Sequence, residues 1–107
     1  MTQPTTDERK QIAATIIMQL GGLGKLRAMI GATDFIALEN GLQFSFKGNR
    51  KINKCVIMLD PMDTYTFQLW YIFVRNGNFH LVYELENVYN DMLISLFQDE
   101  TGLDLSL

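Results

Sequence analysis

The sequence has few of the residues from which catalytic and metal sites are built. It contains one cysteine, Cys55, and one histidine, His80, in 107 residues. A single cysteine forms no internal disulfide and cannot supply a multi-cysteine zinc site. Cys55 lies in an apolar stretch and is predicted to be an inert core thiol. We therefore expect no catalysis, no cofactor and no small-molecule substrate.

Long apolar runs and export signals are also missing. No run approaches the roughly 18 residues that span a bilayer, and residues 1–4 begin no basic segment followed by an apolar one. These absences predict a cytoplasmic protein without a membrane partner. Apolar residues make up 48% of the chain and charged residues 20%, which is typical of a folded protein. The length suits a single domain, residues 1–107.

Helical patterns occupy both ends of the chain. Residues 5–8, Thr-Thr-Asp-Glu, have the form of a capping box, in which the Thr5 hydroxyl bonds the backbone of Glu8. Apolar residues then recur at helical spacing up to Gly21-Gly22, and a short helix is predicted over 23–30. A final helix is predicted over 88–100, with Asn87 as its N-cap and Gly102 as its terminator.

The middle of the chain predicts strands. Residues there are rich in aromatic and β-branched side chains, and turn pairs separate the runs. Five strands are predicted, over 35–39, 42–47, 52–59, 64–74 and 79–85. Short connections favour an antiparallel meander, so the sequence predicts an α+β fold: a five-stranded sheet with the N-terminal helices and the C-terminal helix packed on it.

Two Asn-Gly pairs predict tight hairpins. A turn at Asn40-Gly41 places Phe35 opposite Phe46, on a face shared with Phe44. A turn at Asn76-Gly77 gives the fourth strand two apolar faces. One face carries Trp70, Ile72, Val74, Phe79, Leu81 and Tyr83, and the other carries Phe67, Leu69, Tyr71, Phe73 and Val82. One helical layer covers only one face.

The surplus apolar strand predicts a surface for association. We expect a protein partner or a second copy to contact Phe67, Leu69, Tyr71, Phe73 and His80. Cover by the chain's own elements remains the alternative. His80 could act as a general base only if the fold brought Asp60 or Asp63 beside it.

Charge is segregated along the chain. Eight of the nine basic residues lie between Arg9 and Lys54, and four of them, Lys47, Arg50, Lys51 and Lys54, form a basic loop. This loop could contact phosphates or an acidic protein surface, or serve only solubility. Asp99 and Glu100 end the last helix, where the helix dipole disfavours anions by roughly 0.3–1 kcal/mol, so they too are candidate partner contacts.

Three segments resemble a family of small proteins of phages and other mobile elements. They are Phe35–Phe44, Asn53–Leu59 with Asp63-Thr64-Tyr65, and Val88–Leu93 with Thr101-Gly102-Leu103. The resemblance covers roughly residues 11–107, and it carries over no catalytic or binding residue. It implies a protein that acts in the host cytoplasm, often by binding and blocking a host protein.

Two hypotheses follow for the function. The first is a non-catalytic binding protein of a phage or mobile element, such as an inhibitor of a host defence protein of the anti-CRISPR kind. The second is an accessory protein that binds nucleic acid through Lys47, Arg50, Lys51 and Lys54. The net charge of −3 weakens the second, because duplex binders usually have a basic domain.

Overall fold

Three helices and five strands follow one another in the predicted order. The structure, a computed structural model, describes residues 6–73, 75 and 77–105. The helices are α1 (Thr6–Gln19), α2 (Leu23–Ile30) and α3 (Leu93–Thr101), the last preceded by a 3-10 turn at Asn90–Met92. The strands are β1 (Thr33–Ala37), β2 (Gly41–Ser45), β3 (Lys54–Leu59), β4 (Tyr65–Ile72) and β5 (Phe79–Val88). Within these residues no helix is long and apolar enough to cross a bilayer.

The strands form one antiparallel sheet in the order β1-β2-β3-β4-β5. The sequence-based prediction of an α+β meander is therefore confirmed. β1 and β5 are the edge strands, and the helices flank the sheet in the chain, two before it and one after.

The hydrophobic core lies between the helices and one face of the sheet. Phe97 of α3 packs edge-on against Phe46, with ring centroids 5.1 Å apart, and also contacts Phe44 of β2. Ile16 of α1 and Leu20, the residue directly after α1, are fully buried, as the helical spacing predicts. Each such side chain contributes about 1.5–3 kcal/mol by leaving water.

The first hairpin has a different register from the predicted one. Ala37 pairs with Leu42, and the Leu38 amide donates to the Gly41 carbonyl, so Glu39 and Asn40 form the connection. The prediction that Phe35 lies opposite Phe46 is wrong, because the pairing slips by two residues and a bulge follows Thr33. A slip of two preserves the faces, and Phe35 still stacks on Phe44 at 5.6 Å.

Gly41 has a different role from the one that the sequence pattern predicts. A Cβ at this position would lie 2.1 Å from the carbonyl oxygen of Ile57 in β3. The glycine is therefore required for close approach of β2 to β3, and it does not serve as the left-handed residue of a turn.

The second hairpin has a longer connection than predicted. The Phe73 amide donates to the Asn78 carbonyl, and Ile72 pairs with Phe79. Val74 and Asn76 lie outside the described residues. A bulge between the Leu69 and Trp70 pairs then reverses one assignment: Tyr83 pairs with Leu69 on the core face, so its predicted place beside Trp70 is wrong.

The C-terminal helix begins later than the sequence predicts. β5 continues to Val88, which is fully buried and pairs with Tyr65. Asn87 is not an N-cap: it has φ 59° and lies at a second irregularity of β5. Gly102 ends α3 in the left-handed conformation, as predicted. Thr5 of the predicted capping box lies outside the described residues.

Candidate functional site

The features that the sequence singled out meet at one end of the domain. At this loop end, β2 and β4 finish and β3 and β5 begin. Asn49 donates from Nδ2 to the Thr101 carbonyl at 2.9 Å, which holds the basic loop against the last turn of α3. Asn53 donates from Nδ2 to the Ile72 carbonyl and accepts the Ile72 amide at Oδ1, which holds the same loop against β4.

The four predicted cations divide into two pairs. Arg50 and Lys51 are exposed at the tip of the basic loop, near the end of α3. Lys47 and Lys54 line a hollow of about 420 Å³, and Asp34 lies on its wall. A carboxylate in that wall opposes an anionic ligand. The four residues thus form no single phosphate-binding cradle.

An aromatic cluster of Tyr71, Phe73 and His80 lies on the second hairpin at the loop end. The ring of Phe73 packs edge-on against Tyr71 at 4.4 Å and against His80 at 6.1 Å. Phe73 is 41% exposed and His80 is exposed, so the cluster lies outside the helical cover. Three rings held edge-to-face form a rigid apolar projection.

The acidic helix end, Asp99 and Glu100, is exposed in the last turn of α3. Burial raises the pKa of Tyr83 in β5, and the negative charge of Glu100 raises it further. The hydrogen bonds of Asn49 and Asn53 place the basic loop against both the last turn of α3 and the end of β4, although these segments lie far apart in the sequence.

Two residues of the predicted association surface are not available to a partner. Phe67 and Leu69 are fully buried, because the core face of the sheet is the face that carries them. Their assignment to a partner or dimer surface is wrong. Both faces of the β4–β5 hairpin are apolar, and the sequence pattern does not reveal which one the helices cover.

The uncovered face of the sheet is the one that carries Trp70, and we call it the open face. Its side chains surround a shallow groove of about 320 Å³. Phe79 and Leu81 are 63% and 44% exposed there. The apolar members of the open face are Ile36, Val56, Met58, Trp70, Ile72, Phe79 and Leu81. The sequence pattern grouped four of these residues, Trp70, Ile72, Phe79 and Leu81, on one face but did not name them as contacts of a partner.

A chain of hydrogen bonds fixes the centre of the open face. Trp70 donates from Nε1 to Oε1 of Gln68 at 3.0 Å, and Gln68 donates from Nε2 to Glu84. The Trp70 ring also packs against Phe79, with centroids 5.7 Å apart. The polar atoms of Trp70 and Gln68 therefore have partners within the same chain.

The structure does not bring Asp60 or Asp63 beside His80. His80 pairs with Tyr71 near the end of β4, whereas Asp60 and Asp63 form a turn before its first residue, Tyr65. Six residues of strand separate those ends by about 20 Å. In the described part of the chain, no three of His, Cys, Asp and Glu lie close enough to hold a metal ion.

Cys55 is fully buried in β3, and burial raises the pKa of its thiol. The thiol therefore stays protonated near neutral pH, and the thiolate is the reactive form. We expect no reaction with a thiol-specific dye in the native protein and one reacted thiol per chain in urea.

A Met62→Cys variant provides the matched control, because Met62 is 82% exposed. It should react at once with one equivalent of dye under native conditions. Equally fast reaction of the native wild-type protein would contradict the buried position of Cys55.

Comparison with known proteins identified no relative of this chain. No protein-family model, no curated protein and no solved structure matches this chain. The surfaces described above are therefore the basis on which its function is inferred.

Proposed function

We propose that this protein is a non-catalytic binding protein that attaches to another protein through its loop end. The observation that carries the proposal is the exposed, edge-to-face aromatic cluster of Tyr71, Phe73 and His80 beside a basic loop and an acidic helix end. Rigid aromatic anchors surrounded by charged groups are typical of the energetic centres of protein interfaces.

The charges define the chemistry of the partner. Arg50 and Lys51 fit carboxylates on the partner, Asp99 and Glu100 fit basic groups, and Phe73 requires an apolar pocket. Charges of both signs near one apolar anchor favour a single orientation of the complex. Such a surface suits a folded protein better than a nucleic acid, whose backbone carries charge of one sign.

A host target is the form of this function that the family resemblance supports. Small proteins of phages and mobile elements often block a host protein, including defence nucleases. The proposed role is thus that of an inhibitor of a host defence protein, acting by occupation of a surface.

The test is capture of the partner from host extract by tagged protein, followed by titration with the purified partner. Wild type should retain one protein near 1:1, and Phe73→Ala or Arg50→Glu should weaken its binding at least tenfold, which is about 1.4 kcal/mol. Met62→Ala is the control, because Met62 is exposed in the turn at the opposite end of β4.

Two outcomes would count against this function. Equal binding by wild type and Phe73→Ala would remove the loop end as the contact. Recovery of nucleic acid in place of protein, with affinity falling steeply with salt at a log–log slope of about −0.7 to −0.9 per phosphate contact, would establish the alternative hypothesis.

A further inference from the structure

The open face is an apolar surface that the helices leave uncovered. Phe79 and Leu81 are well exposed there, and Val56 and Ile72 border the groove between them and β3. This surface is distinct from the aromatic cluster, which lies on the opposite side of the β4–β5 hairpin. The proposed function therefore gives the open face no role.

Both edges of the sheet are unsuited to pairing with another strand. β5 has two irregularities in its register and carries exposed acids at Glu84 and Glu86. β1 has one irregularity, next to Asp34, whose φ is 56°. Bulges and charges of this kind prevent edge-to-edge association. Contact through the sheet must then be face to face, as in two-layered β structures.

The charges of the open face are complementary to those of the same face in another copy. Lys54 lies on β3 opposite Trp70, and Glu84 lies on β5 opposite Gln68, so the two charges flank β4 on either side. A two-fold axis can lie in the plane of contact, perpendicular to the line from Lys54 to Glu84 of one copy. Rotation about that axis places Lys54 of each copy against Glu84 of the other. An isologous interface requires this kind of self-complementarity.

The polar side chains at the centre of the open face can be buried against another protein without losing their hydrogen bonds. Trp70 already donates to Gln68, and Gln68 already donates to Glu84. Burying a polar group is costly only when it loses its hydrogen bonds, and these two side chains would keep theirs. The carboxylate of Glu84 on the same face repels phosphate and disfavours a nucleic acid as the occupant.

We propose that a second copy of this chain covers the open face, giving a face-to-face homodimer held by the Trp70–Phe79–Leu81 surface and by two Lys54–Glu84 pairs. The dimer leaves both loop ends free. Each copy could then engage a partner, and two linked binding sites would raise the apparent affinity.

Sedimentation velocity of the full chain tests the proposal. We expect a dimer at about 100 µM, and Leu81→Lys should raise the dissociation constant at least tenfold. Lys54→Glu alone and Glu84→Lys alone should each weaken the dimer about tenfold, and the double variant Lys54→Glu/Glu84→Lys should restore it. Met18→Lys is the control, since Met18 is 74% exposed on α1.

Specific results would overturn the dimer. These are a monomeric wild type at that concentration, a dimer that Leu81→Lys leaves intact, or no rescue by the charge exchange. Binding of a single-stranded oligonucleotide that Leu81→Lys abolishes would assign the open face to nucleic acid instead. None of these results bears on partner capture through Phe73, so the two proposals fail separately.

Discussion

Phe67→Ala should lower the free energy of unfolding by about 3–5 kcal/mol, measured by urea denaturation. Phe67 is fully buried on the core face, and its ring meets Tyr83 with centroids 6.3 Å apart. Removing the ring loses its transfer free energy and leaves a cavity that the close-packed surroundings fill only in part.

Phe79→Ala is the matched control on the other face of the same hairpin. Phe79 is 63% exposed and contacts Trp70, so its loss should cost no more than about 1 kcal/mol. Both variants should be compared at a concentration where the protein is monomeric, because association adds to apparent stability. If Phe79→Ala lowered the free energy of unfolding more than Phe67→Ala, the helices would cover the face that carries Trp70.

Gly41→Ala should destabilise the fold by about 3 kcal/mol or more. The new methyl group would lie 2.1 Å from the Ile57 carbonyl oxygen and 2.9 Å from the Met58 Cα. Both are backbone atoms of the neighbouring strand, so they cannot move without disturbing the pairing of β2 and β3. Thermal and urea unfolding both measure the loss.

Gly24→Ala is the control for the change of glycine to alanine itself. Gly24 lies within α2, and apart from the backbone of its own helix and its chain neighbours nothing lies within 4 Å of a Cβ built there. Alanine favours helix over glycine by roughly 1 kcal/mol, so this variant should be slightly more stable than wild type. A Gly41→Ala protein as stable as wild type would place Gly41 in the turn, where the sequence pattern predicts it.

The positions of α1 and α2 and the end of α3 could be predicted because their signals are local. The spacing of Ile12 to Leu20 gives the buried stripe of α1, and Gly31 and Gly102 end α2 and α3. The order of strands follows from the short connections between them. These features depend on residues only a few positions apart.

The registers and the choice of core face could not be predicted, because they depend on distant residues. Gly41 reads as a turn glycine until the carbonyl of Ile57 is known to lie against it. The bulge of β5 between the Leu69 and Trp70 pairs moves Tyr83 to the core face, and the alternation of apolar residues does not reveal it. Phe67 and Trp70 belong to equally apolar faces, and only the path of the helices distinguishes the two.

For the candidate site, too, local features could be predicted from the sequence and contacts between distant residues could not. The sequence identified the basic loop, Tyr71, Phe73 and the acidic helix end as separate features. Their proximity depends on Asn49 and Asn53, whose side chains reach backbone groups of α3 and β4. Asparagine in a loop is too common for its sequence position to indicate such contacts.

Asn53 has a mechanical consequence for the loop end. The side-chain amide of Asn53 acts like a peptide group, because it donates to the Ile72 carbonyl and accepts from the Ile72 amide. It thereby adds one pair of hydrogen bonds between the chain and β4 just before the first residue of β3. A force applied to the tip of the β4–β5 hairpin is therefore transmitted directly to the chain between Lys47 and Lys54. A partner that displaces the backbone of the β4–β5 hairpin at Phe73 would thus also displace the basic loop that carries the cations.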